Sequence, residues 1–405
     1  MSIIKDNNLR VSYAQAVHGD EEIQNILSVL NEHRTILGEE TKLFEKRVAK
    51  IFGKKYGVAV NSGSSANKLA IDLLDLPTGS EVITPILTFS TTIAPLVQKG
   101  LVPVFTDVEL GKYTINVFQI EKLISKKTKA LMIPLLLGNV PDMKKLSMIA
   151  KKHKLYFIED SCDTLGATFA GKPTGGYSDI STTSFYGSHI ITAGGSGGMI
   201  MVNNTKWFNR LQVLRGWGRS SSRMSESEDI TLRFSEKLNG IPYDAKFIFE
   251  EIGYNFLPPE LGSAFGNAQL DKLSKFKKIR QDNVRILQTF FKKYEDFFIL
   301  PVQDSKVKTQ WLGYPLQIKD KAPFSRFQIV EYLEKNNIQT RPIFTGNILL
   351  HPGFRKIVHR SLKGGYPVTE KVMKNAFLIG CHHGMTVEHL DKIKEVFIEF
   401  LNKYI

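Results

Sequence analysis

From Gly57 to Glu159 short apolar runs alternate with helical patterns, and this alternation constrains the fold more than any other feature of the chain. Tyr56 to Val60, Val82-Ile83-Thr84, Val102 to Val108, Ala130 to Leu137 and Leu155 to Glu159 read as strands. Helical stretches separate them: one ending near Leu74, then Thr88 to Gln98, a segment from Ile120, and Met143 to His153. Strands joined through helices pair in parallel, because a parallel neighbour needs a long crossover. Ala130 to Leu137 is apolar without alternation, as expected of a strand covered on both faces, although Pro134 removes a ladder donor from it. The fold class expected is therefore α/β, with a mixed, mainly parallel sheet. Two helices, Glu21 to Asn31 and Glu39 to Phe52, precede it. After about Asn204 the pattern changes. Arg219 to Asp229 is polar and serine-rich, Pro259 to Phe291 is one long helical pattern, and Glu388 to Leu401 closes the chain as a helix. Trp311 to Gln317 and Ile338 to Pro342 read as strands with a helix, Phe327 to Asn336, between them. We expect a large domain over residues 1–265 and a smaller α+β domain over 266–405.

With 405 residues, 42% of them hydrophobic, a sizeable core is possible. The first residues lack the apolar centre of a signal peptide, and the longest apolar runs are too short to span a bilayer. Cys162 and Cys381 make no disulfide framework. A cytoplasmic protein that does not associate with membranes is expected. The net charge of +14 comes from scattered lysines, such as Lys42, Lys46 and Lys50 along one helix, with no interleaved aromatics. Solvated helix faces explain this more simply than nucleic acid does. A field that draws in a small phosphorylated substrate is a further possibility.

Four stretches carry residues suited to chemistry. Ser184 to Gly198 runs from a strand into a glycine-rich turn and leaves His189 on a loop between two strands; a lone loop histidine is usually only solvated. Asn61 to Asn67 is a Gly-Ser-Ser turn opening a helix, which fits either a phosphate site or ordinary serine capping. Glu159, Asp160 and Asp163 stand at the carboxyl end of a strand, where open α/β sheets bind ligands. One of these acids could hold a protonated ring nitrogen; a metal or a set of loop caps is the alternative, and no His/Cys cluster accompanies them. Phe89 opens a helix after another strand and could stack on an aromatic ring or simply join the core.

In this order the elements resemble the DegT/DnrJ family of sugar-nucleotide aminotransferases that depend on pyridoxal phosphate and have the aspartate-aminotransferase fold, fold type I. Asn61 to Ala66, Glu159-Asp160 with Gly166-Ala167, Ser184-Phe185 and Gly253-Tyr254-Asn255 carry the resemblance, which covers about Asn25 to Leu401. By position it implies that Gly63, Ser64, Ser65 and Ser184 hold the cofactor phosphate and that Phe89 stacks on the ring. It implies that Asp160 pairs with the pyridinium nitrogen and that Asp163 lies near the phenolic oxygen. Asn255 matches a residue that reaches the neighbouring subunit's cofactor, implying a homodimer with shared sites. Arg219, Arg341 and Asn347 are candidate substrate contacts.

One departure redirects the function. The family's Schiff-base lysine position holds His189, and imidazole cannot form that link. This replacement marks the family's sugar 3-dehydratases, which hold pyridoxal or pyridoxamine phosphate non-covalently and use the histidine as base. The resemblance then implies C3 dehydration of a nucleotide-linked 4-keto-6-deoxy sugar, in 3,6-dideoxysugar biosynthesis, with glutamate restoring the amine. Some dehydratases carry an iron–sulfur cluster on four cysteines and depend on a reductase. Here Cys162 matches the first, but the others fall at Ser220, Ser222 and Ile230, or in a shifted register at Ser221, Arg223 and Thr231. No cluster, no other metal site and no reductase are expected. The rivals are an aminotransferase working without lysine and an inactive cofactor-binding scaffold. A second departure is Gly194-Gly195-Ser196-Gly197-Gly198, where the family usually has Gly-Glu-Gly-Gly.

Overall fold

The computed structural model describes residues 9–224 and 229–405. Helices α1 (Asp20–Asn31) and α2 (Glu39–Ile51) come first. Next are β1 (Tyr56–Val60), α3 (Gly63–Leu74), β2 (Glu81–Pro85), α4 (Ser90–Gln98), β3 (Val102–Thr106) and β4 (Thr128–Pro134). Then come α5 (Met143–Lys152), β5 (Tyr156–Asp160), β6 (Ile180–Ser184), β7 (Gly198–Val202) and α6 (Thr205–Arg215). The seven strands form one sheet in the order β1-β7-β6-β5-β4-β2-β3. β7 runs antiparallel to both its neighbours, and the other pairs are parallel. That gives the mixed, mainly parallel sheet expected.

The absence of alternation in the central strands has a direct cause. Val82, Ala130, Met132 and Ile158 pack into one buried cluster with α3, while Ile83, Leu131, Ile133 and Phe157 pack into another with α5. Both faces are dry, so both sets of alternating side chains are apolar. Pro134 is the last residue of β4, opposite Asp160, where a missing donor ends the ladder rather than interrupting it.

The long helix α7 (Glu260–Phe291) runs through the boundary expected at 265/266 and serves both parts of the chain. Its first half packs on α1 and α2. Glu260 there accepts hydrogen bonds from the backbone N–H of Gly38, Glu40 and Thr41 at 2.9, 2.7 and 3.2 Å, capping α2 from more than 200 residues away. Its last turns enter an aromatic core with Phe291, Tyr314, Phe377 and Phe397. That core lies against a four-stranded antiparallel sheet of β8 (Phe298–Ile299), β9 (Tyr314–Ile318), β10 (Arg341–Pro342) and β11 (Ala376–Ile379), in the order β8-β9-β11-β10. Helices α8 (Arg326–Lys335), α9 (Pro367–Asn375) and α10 (Val387–Leu401) complete this part. The start of the described chain returns to it: Val11 is fully buried and pairs in parallel with Ile338.

The strands expected over Trp311 to Gln317 and Ile338 to Pro342 begin later in the sheet, at Tyr314 and Arg341, because the Leu312 N–H is spent on the Leu137 carbonyl and Ile338 pairs with Val11 instead. A hairpin of Glu236–Leu238 with Ile241–Tyr243 has no counterpart in the sequence reading. Part of the stretch expected as loop, residues 225–228, lies outside the described residues; before it, Ser220–Arg223 makes one 3-10 turn.

Candidate active site

The carboxyl ends of β1, β2, β5 and β6 carry the chemistry-bearing residues, on one side of the sheet. Gly198 brings two of these ends together. It sits in register with Val60 on one side and Ser184 on the other, and a Cβ there would stand 2.2 Å from the Ser62 carbonyl oxygen. Glycine alone permits that approach. In consequence the Gly63 turn abuts Ser184: a Cβ on Gly63 would lie 2.6 Å from Ser184 Cβ and 2.8 Å from Cys162 Sγ.

The turn caps its own helix and keeps donors free. Ser62 Oγ accepts from the Ser65 N–H at 3.1 Å, and the Ser65 hydroxyl donates to Asn61 Oδ1 at 2.6 Å. Both readings of this stretch therefore meet in one place. Ser65 is committed to the cap and buried, whereas Ser64 is exposed at the first turn of α3, beside the Ser184 hydroxyl's end of β6. A phosphate fits this cradle, since the N-terminal N–H groups of a helix of twelve residues open onto it and Ser184 Oγ would stand 3.1 Å from a Cβ on Gly63.

Asp160, the last residue of β5, is held on both carboxylate oxygens. Oδ2 accepts from Asn67 Nδ2 at 2.9 Å and Thr92 Oγ1 at 2.8 Å, and Oδ1 accepts from the Cys162 N–H at 3.2 Å. Asn67 is itself oriented by Thr182, whose hydroxyl donates to Asn67 Oδ1 at 2.6 Å. A carboxylate fixed this way is suited to pair with a cationic ring nitrogen. Sequence reasoning missed Asn67, Thr92 and Thr182. Asn67 lies one helical turn beyond Gly63, and that spacing was the available signal. Glu159 points to the opposite face by strand alternation, where the hydroxyls of Ser161, Ser178 and Ser181 donate to it at 2.6, 3.1 and 3.0 Å. It is a structural hub and not part of the cleft.

Asp163 Oδ2 accepts from the Leu137 N–H at 3.0 Å. Burial, reinforced by the charge of Asp160, pushes its carboxyl up to about 7. Phe89 stands at the N-terminus of α4, 51% exposed, with the Phe344 ring edge-on at 6.2 Å. A large ring this exposed is a free stacking face rather than core. Thr345 ties the two segments by donating its hydroxyl to the Thr88 carbonyl at 2.7 Å.

His189 sits on the loop after β6, with Nδ1 3.4 Å from the Ser184 carbonyl oxygen and the Tyr186 ring edge-on at 5.9 Å. Burial pushes its imidazole down to about 4, and the nearby positive charge of Arg280 adds to that effect. The ring is thus neutral near pH 7 and able to accept a proton. Ser196, in the departing glycine loop, donates its hydroxyl to the Asn61 carbonyl at 2.8 Å and closes the loop over the phosphate turn.

The remaining candidates divide. Arg219 and Asn255 lie together: Gly216 bridges to Asn255, and the Arg219 guanidinium lies 4.2 Å above the Trp217 ring. Asn255 is exposed, and the next residue's carbonyl accepts from the Asn61 N–H at 2.9 Å, so this segment borders the phosphate turn. Arg341 is exposed on β10. Asn347 is buried, and its side-chain oxygen caps a 3-10 turn by accepting from the Leu349 N–H at 3.1 Å. Ser220 and Ser222 donate to the Ala245 and Gly216 carbonyls, each at 3.2 Å. Among the described residues no cluster of His, Cys, Asp and Glu could hold a metal ion, and no helix is long and apolar enough to cross a membrane.

The chain has known relatives. The chain is 35% identical over 399 residues to dTDP-4-dehydro-2,6-dideoxy-D-glucose 3-dehydratase of Saccharopolyspora spinosa, covering 96% of this chain and 86% of that one. It is 33% identical over 395 residues to the lipopolysaccharide biosynthesis protein RfbH of Salmonella typhimurium, covering 95% and 90%. A crystal structure of GDP-4-keto-6-deoxymannose-3-dehydratase with a trapped PLP-glutamate geminal diamine superposes with a TM-score of 0.86 at 29% identity, covering 95% of this chain and 99% of that one. Residues 17–397 match the model of the DegT/DnrJ/EryC1/StrS aminotransferase family, and the chain belongs to that family.

Proposed function

We infer that the chain is a sugar-nucleotide 3-dehydratase, a lyase that uses pyridoxamine phosphate to remove the C3 hydroxyl of a nucleotide-linked 4-keto-6-deoxy sugar. The observation that carries this reading is His189: a half-buried, neutral imidazole, at the position that the family resemblance gives to lysine, beside the phosphate cradle and a fixed Asp160. The relatives named as 3-dehydratases support it.

Bound pyridoxamine phosphate supplies the amine that joins the sugar's C4 ketone and the conjugated ring that takes up electrons. The protein's own residues do the rest. Gly63, Ser64 and Ser184 would form the phosphate site, with Ser65 fixing the turn through its cap rather than holding the phosphate as the resemblance implied, and Phe89 would offer its ring face to the cofactor. Asp160 would hold the ring nitrogen protonated, and Asp163, as the resemblance implies, would lie near the ring's phenolic oxygen. His189 takes a proton from the cofactor's C4′ carbon and can return it to the C3 hydroxyl as that group leaves. Arg219, Arg341 and Asn347 border the substrate; Asn347, through its cap, acts by shaping the loop. Glutamate restores the amine and leaves as 2-oxoglutarate, so neither an iron–sulfur cluster nor a reductase is required. Cys162 is the single thiol at a cluster position, and its burial beside Asp160 pushes the thiol well above its ordinary value.

A homodimer completes the site. Ile230, Ile241, Phe247, Phe249 and Ile252 are exposed on the segment leading to Asn255, Ile252 by 96%. Such an apolar patch beside a polar residue fits a second copy of the chain. Asn255 then reaches the partner's cofactor phosphate. Asn255→Ala removes one bond to a charged group, about 1.5–3 kcal/mol, so cofactor affinity falls about tenfold to a hundredfold. An active monomer in dilute solution contradicts the shared site.

The deciding experiment offers CDP-, GDP- and dTDP-linked 4-keto-6-deoxy sugars with no addition, with glutamate, or with a reductase and NADH, and follows water loss by mass. Multiple turnovers with glutamate alone are expected. Retention of nitrogen in the product would mean aminotransfer, and turnover that continues only with the reductase would refute the reading.

A further inference from the structure

The ring offered to the cofactor is not held by its own helix. Phe89 is the N-cap of α4, makes no side-chain capping bond and is half exposed. What fixes it comes from the far end of the chain. The Phe344 ring meets it at 77° and 6.2 Å, an edge-to-face pair that leaves a face of Phe89 free. Beside the pair, the Thr345 hydroxyl donates to the Thr88 carbonyl at 2.7 Å. One bond thus joins the residue before the first ring to the residue after the second, 257 positions apart. The His351 Nε2–H donates to the Thr345 carbonyl at 2.8 Å and closes the turn.

Three observations show that this contact is built into the fold. Phe344 has a φ of +45°, left-handed backbone that a bulky residue adopts only where its surroundings impose it. Its ring packs on the aromatic core beside the four-stranded sheet and also on the cluster that includes Phe185, Ile190 and Ile191, on either side of His189 in the chain. The strand that leads into it, β10, is braced by the N-terminal segment. Val11 makes two backbone hydrogen bonds of 2.9 Å there, its N–H donating to the Asn337 carbonyl and its carbonyl accepting from the Gln339 N–H. The Tyr13 N–H donates to Gln339 Oε1 at 3.0 Å, and the Tyr13 ring centroid lies 5.3 Å from Arg341 Cζ. Gly380 admits this segment, since a Cβ there would stand 2.3 Å from the Ser12 carbonyl oxygen. A firm wall therefore stands behind Phe344. A ring that must lie flat against a planar cofactor needs its tilt set. A side chain pivoting at a helix end loses that freedom on binding unless the fold has removed it already.

We propose that Phe344 is a positioning residue for the cofactor ring: it props Phe89 from the side, with Thr345 as the latch, so that the stacking face is set before the cofactor arrives. This rests on the reading that Phe89 stacks on the cofactor. The same prop ties that face to the cluster around the His189 loop, so the stacking ring and the base share one frame.

The test reads binding and not turnover, so a failure of dehydration leaves it untouched. Pyridoxal phosphate and pyridoxamine phosphate are titrated into the full chain by calorimetry, and the circular dichroism induced in the bound aldehyde's absorption band reports the tilt of its ring. The variants are Phe344→Leu, Phe344→Tyr, Thr345→Val, Phe89→Leu and the double variant Phe89→Leu/Phe344→Leu. Phe89→Leu should raise both Kd values about fivefold to a hundredfold, the loss of a stacking face. Phe344→Leu should raise them about twofold to tenfold and weaken the induced band, whereas Phe344→Tyr, which keeps the ring, should restore both. Thr345→Val should act in the same direction through the lost latch, by about twofold to tenfold. The double variant should bind no more weakly than Phe89→Leu alone. If Phe344→Leu costs as much without Phe89 as with it, the prop does not act through Phe89 and the proposal falls. Unchanged Kd and band in Phe344→Leu overturn it as well. Should Phe344→Leu fail to fold, Thr345→Val decides, since it leaves both rings in place: an unchanged Kd and band there overturn the proposal. A Phe89→Leu variant that binds both cofactor forms like the parent removes the stacking reading itself.

Discussion

Asp160 ends β5 and His189 follows the adjacent strand β6, yet the molecule holds them in opposite ways. Asp160 receives three donors from three different elements, one of them oriented by a fourth residue. His189 has one long contact to its own loop, and its Nε2 makes no hydrogen bond among the described residues. Its loop ends in glycines, three of them at positive φ. The difference teaches which task each group has. A charge that must stay constant through a reaction is fixed from several sides, while a base that must find and release a proton keeps one ring nitrogen open.

The largest effect expected comes from giving the loop a residue that can bond covalently. His189→Lys should lower dehydration about a hundredfold to ten-thousandfold, the usual worth of a positioned general base. Borohydride should then leave a pyridoxyl group on that lysine, and none on the parent chain. A parent peptide carrying pyridoxyl at any lysine sinks the assignment, as does a variant that dehydrates at the parental rate.

Next comes the protonation state. The His189 imidazole should stay neutral from pH 7.5 down to 5.5 and titrate only toward about 4, read as the histidine NMR signal missing from a His189→Gln variant. The sign for stability follows. Between about 4 and the ordinary value of 6.5 the unfolded chain binds the proton and the folded one does not, so this group's contribution falls as pH drops through that window. Asp163 acts in reverse: its folded value of about 7 exceeds the ordinary 3.8, and its contribution is lost as pH rises from 3.8 to 7. A His189 signal moving near pH 6.5 breaks the comparison, because the loop would then be as wet as a surface turn.

Thr92→Val should cost about 1.5–3 kcal/mol in urea unfolding, since it removes a donor from a buried carboxylate. A cost under about 0.5 kcal/mol would show that Asp160 is less firmly held than its three bonds imply. The smallest effect belongs to Ser196→Ala, which loses one neutral hydrogen bond worth about 1 kcal/mol and should loosen cofactor binding without touching the His189 titration.

Much of the frame was legible because it is periodic. The strand–helix alternation, the buried strand through Ala130 and the single long helix from about Pro259 all leave marks in local sequence. Asp160 and His189 could be singled out because they stand at strand ends within recognisable motifs. What held them could not. Asn67 and Thr92 look like ordinary helix residues, and only the folded sheet brings them to Asp160. The cap that Asn347 makes on a 3-10 turn leaves no mark in its own motif. Tyr13 carries no motif at all, and its place depends on residues more than 300 positions away.

That last dependence sets an order on how the enzyme comes into being. Chains are made from the N-terminus, and local parts fold as they emerge. The large sheet has all its strands once residue 202 is made, but α2 waits for its cap until Glu260 follows. The seat of Tyr13 does not exist until residues 337–341 and Gly380 have been added. Val11 to Tyr13 are thus made more than 300 residues before their partners. A nascent chain can have a phosphate cradle and still lack a seated Tyr13, which waits until residue 380 has been made.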